Sequence, residues 1–402
     1  MFRLNSIVVL CTALAIQPAL ANSNPQQAQL DLYVTQTAQS YLQKLPSEAF
    51  FKAEKSTFLN QWVESSEIRV SAENDDDRSR SLALNLKIKN ASELKVQQQL
   101  FDLVEASEQL EQQKTFNAHL HTTYQQLVEL NNKLEQSAHL QSLLQLSGVE
   151  IKYQRGLVQS NDFDAENLLD SELNQEQVQQ EIEFVSQQIN DLKESLNFDT
   201  QQSFIDLEAS QIIARIKSHS LKHGIEVKQA KMDLELAQLK LKQQQSNEGV
   251  ALNAVQLSSD FGSGKDTVLG VRFDIQIPFA GPNYDNQLKH QGIAKATKRL
   301  HQRKKLAQLK AEQSLLKIQQ YNNALNSNQK QARTIEQRLL KTTDVHLILK
   351  LKTQHLKRLG KSIDIRHNLQ TSYIDFLAQR GLLASSEDNN WLSATLNSKP
   401  AE

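Results

Sequence analysis

Residues 268–277 read Val-Leu-Gly-Val-Arg-Phe-Asp-Ile-Gln-Ile and alternate strictly along the chain. Successive side chains of a strand point to opposite sides, so this pattern predicts a strand with two unlike faces. The apolar face carries Leu269, Val271, Phe273, Ile275 and Ile277. The other face carries Gly270 and the polar residues Arg272, Asp274 and Gln276. The stretch has the length of about 9–11 residues that a tilted strand needs to cross a bilayer. A hairpin in a soluble protein would show a similar alternation.

The strand belongs to a pattern that occurs twice. Strand pairs are predicted at about 67–89 and 250–277. A long helix follows each pair, at about 91–154 and 285–358, and then a Gly-containing turn, at 155–161 and 359–362, and a returning helix. The two repeats cover residues 22–210 and 211–386, and a flexible tail is expected at 387–402. The fold class is therefore mainly α with a small β part.

The long helices carry coiled-coil spacing. Residues 91–154 contain no Pro and a single Gly, at 148, and their apolar residues recur at three- and four-residue steps, as at Leu120, Tyr124, Leu127 and Leu134. At 1.5 Å per residue such a helix is on the order of 90–100 Å long. This length exceeds the diameter of an ordinary globular domain, so the helix must serve an extended structure.

The N-terminus has the features of a secretory signal peptide at residues 1–21. Arg3 supplies a positive charge, residues 7–16 are apolar, and Ala19-Leu20-Ala21 matches a small-x-small cleavage site. Cys11, the only cysteine, lies within this segment. The processed chain is thus expected to hold no disulfide, catalytic thiol or Cys-ligated metal.

Composition excludes several classes of function. The 45 Lys and Arg residues balance 46 Asp and Glu residues, so no basic excess indicates nucleic acid as a partner. No Ser/His/Asp grouping, HExxH motif or nucleotide-binding loop is present. We therefore expect a protein that is not an enzyme, with no catalytic residues, no metal and no cofactor.

The strand count points to an assembly. Four strands cannot close a membrane barrel, because single-chain bacterial barrels have at least about eight. An open sheet edge inside a bilayer would leave backbone N–H and C=O groups unpaired. If the strands lie in a membrane, further copies of the chain must complete the barrel.

This plan resembles the TolC family of outer-membrane efflux conduits over nearly the whole processed chain. The motifs that carry the resemblance are Gly156-Leu157-Val158 with Asp162-Phe163, residues 268–279 with Gly281, and Gly360 followed by Ile363-Asp364-Ile365. The resemblance implies a homotrimer with a twelve-stranded barrel and a long α-helical periplasmic tunnel, in the outer membrane of a Gram-negative bacterium. The chain is shorter than the drug-efflux members of the family and closer in length to the heavy-metal efflux subgroup.

The resemblance also implies roles for particular residues. The turns would contact a periplasmic adaptor (membrane fusion) protein, through Arg155, Gly156, Leu157 and Val158 in the first and Leu359, Gly360 and Lys361 in the second. The periplasmic gate would involve Asp364, His367 and Asp162, although the family often places a second acidic residue where His367 stands. In the barrel, Arg272, Asp274 and Gln276 would face the lumen, and the apolar face of the same strand would face outer-membrane lipid.

The implied function is a passive export duct of a tripartite efflux or type I secretion system. An inner-membrane pump of the RND or ABC type would drive it through the adaptor. The alternative is a periplasmic coiled-coil structural or adaptor protein. Adaptors have a single helical hairpin between β domains, whereas this chain has two predicted hairpins and little β structure. The exported substrate stays open among drugs, metal ions and polypeptides.

Overall fold

The computed structural model describes residues 25–43, 63–72, 80–88, 91–158, 163–205, 207–219, 224–247, 251–261, 268–276, 284–385 and 390–393. The predicted signal peptide lies outside these ranges. The first half of the chain contains helix α1 (Pro25–Leu42), strands β1 (Val63–Ala72) and β2 (Arg80–Ile88), and helices α2 (Ala91–Gly156) and α3 (Ala165–Leu196). Helix α2, with 66 residues, confirms the long helix predicted from 91.

The second half again has two strands followed by two long helices, but two described helices precede its strands instead of one. Helices α4 (Ala209–His219) and α5 (Ile225–Asn247) lead into strands β3 (Ala251–Phe261) and β4 (Val268–Gln276). Helices α6 (Tyr284–Leu339) and α7 (Val345–Arg380) and a short 3₁₀ turn at Leu383–Ser385 follow. The sequence also predicts one helix over 212–245, and this prediction is wrong because the helix is interrupted at Gly224 and a separate helix starts at Ile225.

The four strands form one antiparallel sheet in the order β1-β2-β3-β4. The register aligns apolar residues into rows that cross the whole sheet, one of which is Ile68–Leu84–Leu257–Val271. Polar residues align in the alternate rows, one of which is Glu67–Asn85–Gln256–Arg272. The sheet is therefore amphipathic across all four strands, as the alternation in 268–276 predicted for one.

The chain divides into two compact units. Unit 1 comprises residues 1–43, 115–222 and 310–402, and unit 2 comprises 44–114 and 223–309. Unit 1 holds a core in which the predicted heptad positions Leu120, Tyr124 and Leu127 are at most 4% exposed. Further fully buried side chains in this unit come from α1, α4, α6 and α7, namely Leu30, Ile212, Ile216, Ile318, Leu369, Tyr373, Phe376 and Leu377.

Residues 390–393 are part of the core of unit 1. Trp391 and Leu392 are 2% and 0% exposed. The buried Arg215 donates to the carbonyl oxygens of Trp391 (3.1 Å) and Ser393 (2.6 Å), and the Trp391 N–H donates to the Tyr124 hydroxyl at 3.2 Å. The expectation of a flexible tail from 387 is therefore wrong for these four residues, because an apolar pair and an arginine fork hold them in place.

Helix α7 ends at Arg380, four residues before the predicted end of the returning helix near 384. Gly381 takes a left-handed conformation (φ 67°), and its N–H donates to the Ala378 carbonyl. Glycine adopts this conformation without a steric penalty, so it ends helices routinely.

Candidate functional site

The first turn lies where the sequence predicted it. Helix α2 ends at Gly156, and the N–H groups of Leu157 and Val158 bond to the carbonyls of Gln154 (3.0 Å) and Arg155 (3.4 Å). Arg155 also forms an exposed ion pair with Glu172 of α3 at 2.7 Å. A Cβ added to Gly156 would meet nothing within 4 Å, so this glycine makes no close contact.

Helix α3 begins under a different cap from the predicted one. The Asp164 side chain accepts from the N–H groups of Glu166 (3.0 Å) and Asn167 (3.3 Å). The sequence predicts Asp162 as the cap of this helix as well as a gate residue, and Asp162 lies outside the described residues. The cap is therefore assigned to Asp164, which directly precedes the first helical residue.

The second turn is not at 359–362, and this prediction is wrong. Helix α6 ends at Leu339, and α7 starts at Val345 under an Asp344 cap, whose carboxylate accepts from the His346 N–H at 2.9 Å. The chain reverses through Leu340, whose side chain is 87% exposed, and Lys341. The physical reason is that Thr342-Thr343-Asp344 provides the polar cap that starts a new helix, whereas Gly360 has no cap next to it.

Leu359, Gly360 and Lys361 lie within α7 rather than at a turn. A Cβ added to Gly360 would meet the His139 Nε2 atom of α2 at 2.7 Å. Gly360 is thus a helix-packing glycine, which allows the ring of His139 to approach the backbone of α7. The tip role predicted for these three residues does not fit their place in the chain, 15 or more residues after the turn.

Asp364 and His367 also lie in the middle of α7. The Asp364 carbonyl accepts from the Asn368 side chain at 2.9 Å, and His367 Nε2 lies 3.3 Å from Glu129 Oε2 of α2. At 1.5 Å per residue, Asp364 is about 30 Å along the helix from its start. The predicted gate pair beside the second turn is therefore wrong in position, because the turn itself lies earlier.

The structure instead brings His367 into a ladder of polar pairs between α2 and α7. The pairs are His121–Asp375 (2.8 Å), Glu129–His367 (3.3 Å) and Glu135–Arg366, in which one guanidinium nitrogen contacts both carboxylate oxygens at 3.1 and 3.0 Å. Partner numbers fall on α7 as they rise on α2, so the two helices are antiparallel here. The ladder fixes their register within unit 1.

His139 continues this ladder without an ion pair of its own. It is half-buried, and burial lowers the pKa of its imidazole, while the nearby carboxylates of Asp364 and Glu181 oppose that shift. The site therefore favours uncharged His139 at neutral pH.

Asn131 is a buried polar residue that the sequence reasoning missed. Its side-chain oxygen accepts from the Ser203 hydroxyl (3.0 Å) and from the N–H groups of Phe204 (2.8 Å) and Ile205 (3.1 Å). It thereby holds the link between α3 and α4 against α2. The signal in the sequence is weak, since Asn131-Asn132 looks like any polar pair on a helix.

The apolar and polar residues of the described part of β4 lie on opposite faces of the sheet. Leu269, Val271, Phe273 and Ile275 are all at least 57% exposed on one face. Arg272 and Asp274 form an exposed ion pair at 3.4 Å on the other. Ile277 lies outside the described residues, as does the side chain of Gln276.

Other kinds of site find no support in the described ranges. No group of three His, Cys, Asp or Glu residues there is arranged to hold a metal ion. None of the helices in those ranges combines the length and the apolarity that a membrane span requires.

Comparison with solved structures identifies the fold. The alignment with VceC, an outer membrane protein from Vibrio cholerae, covers 89% of this chain and 96% of VceC, with a TM-score of 0.61 and 11% sequence identity. The MtrE outer membrane channel of Neisseria gonorrhoeae matches 89% of this chain over 88% of its own (TM-score 0.56, 10% identity). The alignment with CusC covers 88% of this chain and 91% of CusC (TM-score 0.56, 11% sequence identity). No family model and no curated protein sequence matches the chain.

The chain thus has the fold of outer-membrane channels, with long helices and a few strands per chain. This finding confirms, at the level of the fold, the resemblance to the TolC family drawn from the sequence. It also confirms the predicted fold class.

Proposed function

We propose that this protein is one subunit of an outer-membrane export duct and is not an enzyme. The observation that carries the proposal is the sheet, which exposes large apolar side chains along one face and leaves β1 and β4 as its edges. Strands with bare edges and an apolar face need further strands and a nonaqueous surrounding. Three copies would supply a twelve-stranded barrel in a Gram-negative outer membrane, with the helices continuing into the periplasm.

The two faces of β4 have distinct roles in this proposal. Leu269, Val271, Phe273 and Ile275, with Ile277 as the next position of the same face, would meet lipid. Arg272 and Asp274, with Gln276, would line a wet lumen. The alignment of apolar and polar rows across all four strands supports this division, since a two-faced sheet is what a barrel wall requires.

The turns are the proposed contact with a periplasmic adaptor. In the first turn the contact comprises Arg155, Gly156, Leu157 and Val158, with Asp162 kept as a gate candidate beside it. In the second turn Leu340 and Lys341 replace the residues predicted from the sequence, because they occupy the reversal. An inner-membrane pump of the RND or ABC type would supply the energy. A photocrosslinker at Leu340 should capture the adaptor in cells, and one at Leu359 should not.

Membrane fractionation tests the duct itself. We expect a detergent-requiring species in the outer membrane that migrates as a trimer and conducts ions in planar bilayers. A soluble monomer recovered from the periplasm would overturn the proposal. It would favour instead a periplasmic coiled-coil structural or adaptor protein.

A further inference from the structure

One segment of α6 departs strongly from the charge balance of the chain. Residues 286–309 contain seven Lys and Arg residues and no Asp or Glu, whereas the whole chain has 45 basic and 46 acidic residues. The basic residues are Lys289, Lys295, Lys298, Arg299, Arg303, Lys304 and Lys305. The segment belongs to unit 2 and begins soon after β4, so it lies along the part of the helix nearest the sheet in sequence.

Part of this charge faces a neighbouring helix. Arg299, Gln302, Arg303 and Leu306 line a groove of about 660 Å³ together with residues of α5. Arg303 Nη1 lies 2.9 Å from Glu226 Oε2 across this groove, and both side chains are about half exposed. The groove therefore identifies the side of α6 that packs against its own subunit.

Four of the five lysines in this segment lie to the two sides of the groove-lining residues. At about 100° per residue, Lys298 and Lys305 are together on one side, and Lys289 and Lys304 are on the other. None of these four forms an ion pair with any residue in the described ranges. In the wall of a tube, a helix contacts neighbouring helices on its two flanks, and the groove marks one of these flanks. The two lysine-bearing sides are at about right angles to the groove, so one of them faces the lumen and the other faces outward. Either orientation places at least two unpaired lysines per subunit on the duct wall.

Nearby acidic residues do not cancel this charge. The part of α2 in the same unit, residues 91–114, has five acidic residues against two lysines, and α5 has three against four. The helical segments of unit 2 thus stay basic in sum. Three subunits would repeat the excess around one ring, and the low-dielectric walls of a pore concentrate such a field.

We propose that the α6 segment 286–309 makes the duct selective for anions, and that its preferred cargo is small solutes bearing carboxylate or phosphate groups. Rings of Lys and Arg favour anions in pores, as rings of Asp and Glu favour cations. The inference rests on the proposed duct function and narrows its substrate class. It also disfavours free divalent metal cations as cargo. The chain length, by its similarity to the heavy-metal efflux subgroup, had suggested such a cargo.

The test is the reversal potential of the full-length protein in planar bilayers under a KCl gradient. We expect a chloride-to-potassium permeability ratio above one at low salt, falling as salt rises because the Debye length shrinks from about 30 Å at 0.01 M to about 10 Å at 0.1 M. Two double variants separate the faces, Lys298→Gln with Lys305→Gln and Lys289→Gln with Lys304→Gln. One pair should lower the ratio by roughly twofold or more, and the other should serve as its matched control.

The possible results distinguish a failure of the anion inference from a failure of the duct function. A duct that conducts but prefers potassium, or whose chloride preference survives all four substitutions together, overturns the anion inference and leaves the duct function standing. A double Lys→Arg variant at the sensitive pair should keep the selectivity, since the charge is retained. Absence of any current from a trimer that reaches the outer membrane overturns the duct function itself.

Discussion

Asn131 holds the link between α3 and α4 against helix α2 in unit 1. It is 1% exposed, and its oxygen satisfies two backbone N–H groups and one hydroxyl of the link that follows α3. A buried N–H left without an acceptor costs about 1–3 kcal/mol. The sequence offers no periodic signal for such a residue, because hydrophobic spacing reports where apolar faces lie and not where single acceptors are needed.

Asn131→Ala should therefore lower the free energy of unfolding by on the order of 2–4 kcal/mol, since two amides lose their acceptor. Chemical denaturation followed by circular dichroism measures the loss. Asn132→Ala is the matched control, because Asn132 is also buried but its side-chain oxygen has no hydrogen-bond partner in the described part of the chain. Equal losses in the two variants would contradict the role of Asn131.

Gly360 and His139 should be coupled in stability. Replacing a helical glycine by alanine ordinarily stabilises by about 1 kcal/mol, but here the new Cβ would meet the His139 ring at 2.7 Å. We expect Gly360→Ala to bring no gain in the wild-type protein and about 1 kcal/mol of stabilisation in a His139→Ala background. A double-mutant cycle in denaturant measures this difference. The same gain in both backgrounds would show that the close approach has no cost.

His139 also predicts a dependence of stability on pH. Its pKa in the folded protein is lowered from the ordinary value of 6.5 chiefly by burial, so the unfolded chain takes up the proton first as pH falls. The stability contribution is full above about pH 6.5 and is lost as the pH falls through the lowered pKa. The melting temperature of the wild type should thus drop more between about pH 7.5 and pH 5.5 than that of His139→Gln. Parallel curves would rule out His139 as the responsible group.

At the scale of elements, the sequence predicts the long helices better than their ends. Strict alternation in 268–276 and the absence of Pro over 91–154 leave one option each, so β4 and α2 were found. The sequence predicts the second turn at the wrong place, because Gly360 and Thr342-Thr343-Asp344 both carry a signal for a helix boundary. Within a helix, glycine can also mark a close approach of another element, here that of His139, and only the tertiary structure separates the two causes. The ladder between α2 and α7 was missed for the same reason, since its partners lie more than 200 residues apart.

The corrected turn can be tested through its cap. Asp344→Ala removes the acceptor for the His346 N–H and should cost about 1 kcal/mol of stability. Asp364→Ala is the comparison, because Asp364 is an exposed residue inside α7 and caps nothing. Unfolding in denaturant compares the two variants. A larger loss for Asp364→Ala would restore the turn near 359–362.

For the whole molecule, a charge introduced on the apolar face of the sheet should reduce assembly into the membrane, whereas a charge on the polar face should not. Val271→Lys places a cation on the exposed apolar face, where a bilayer would oppose it by about 2–4 kcal/mol at mid-depth. Asn85→Lys, which lies in the polar row that contains Arg272 and is opposite Glu67, should have little effect. The measurement is the amount of folded protein in outer-membrane fractions. Equal amounts for the two variants would argue against lipid on the apolar face.

The clasp around Trp391 and Ser393 has a consequence for the order of events during biogenesis. Arg215 holds carbonyls 176 and 178 residues further along the chain, and Tyr124 holds an amide 267 residues away. During synthesis the early partners emerge long before the late ones, so the core of unit 1 stays incomplete until residues 391–393 have been made. Residues 390–393 therefore join the core late in folding, because the segments that they contact are made first.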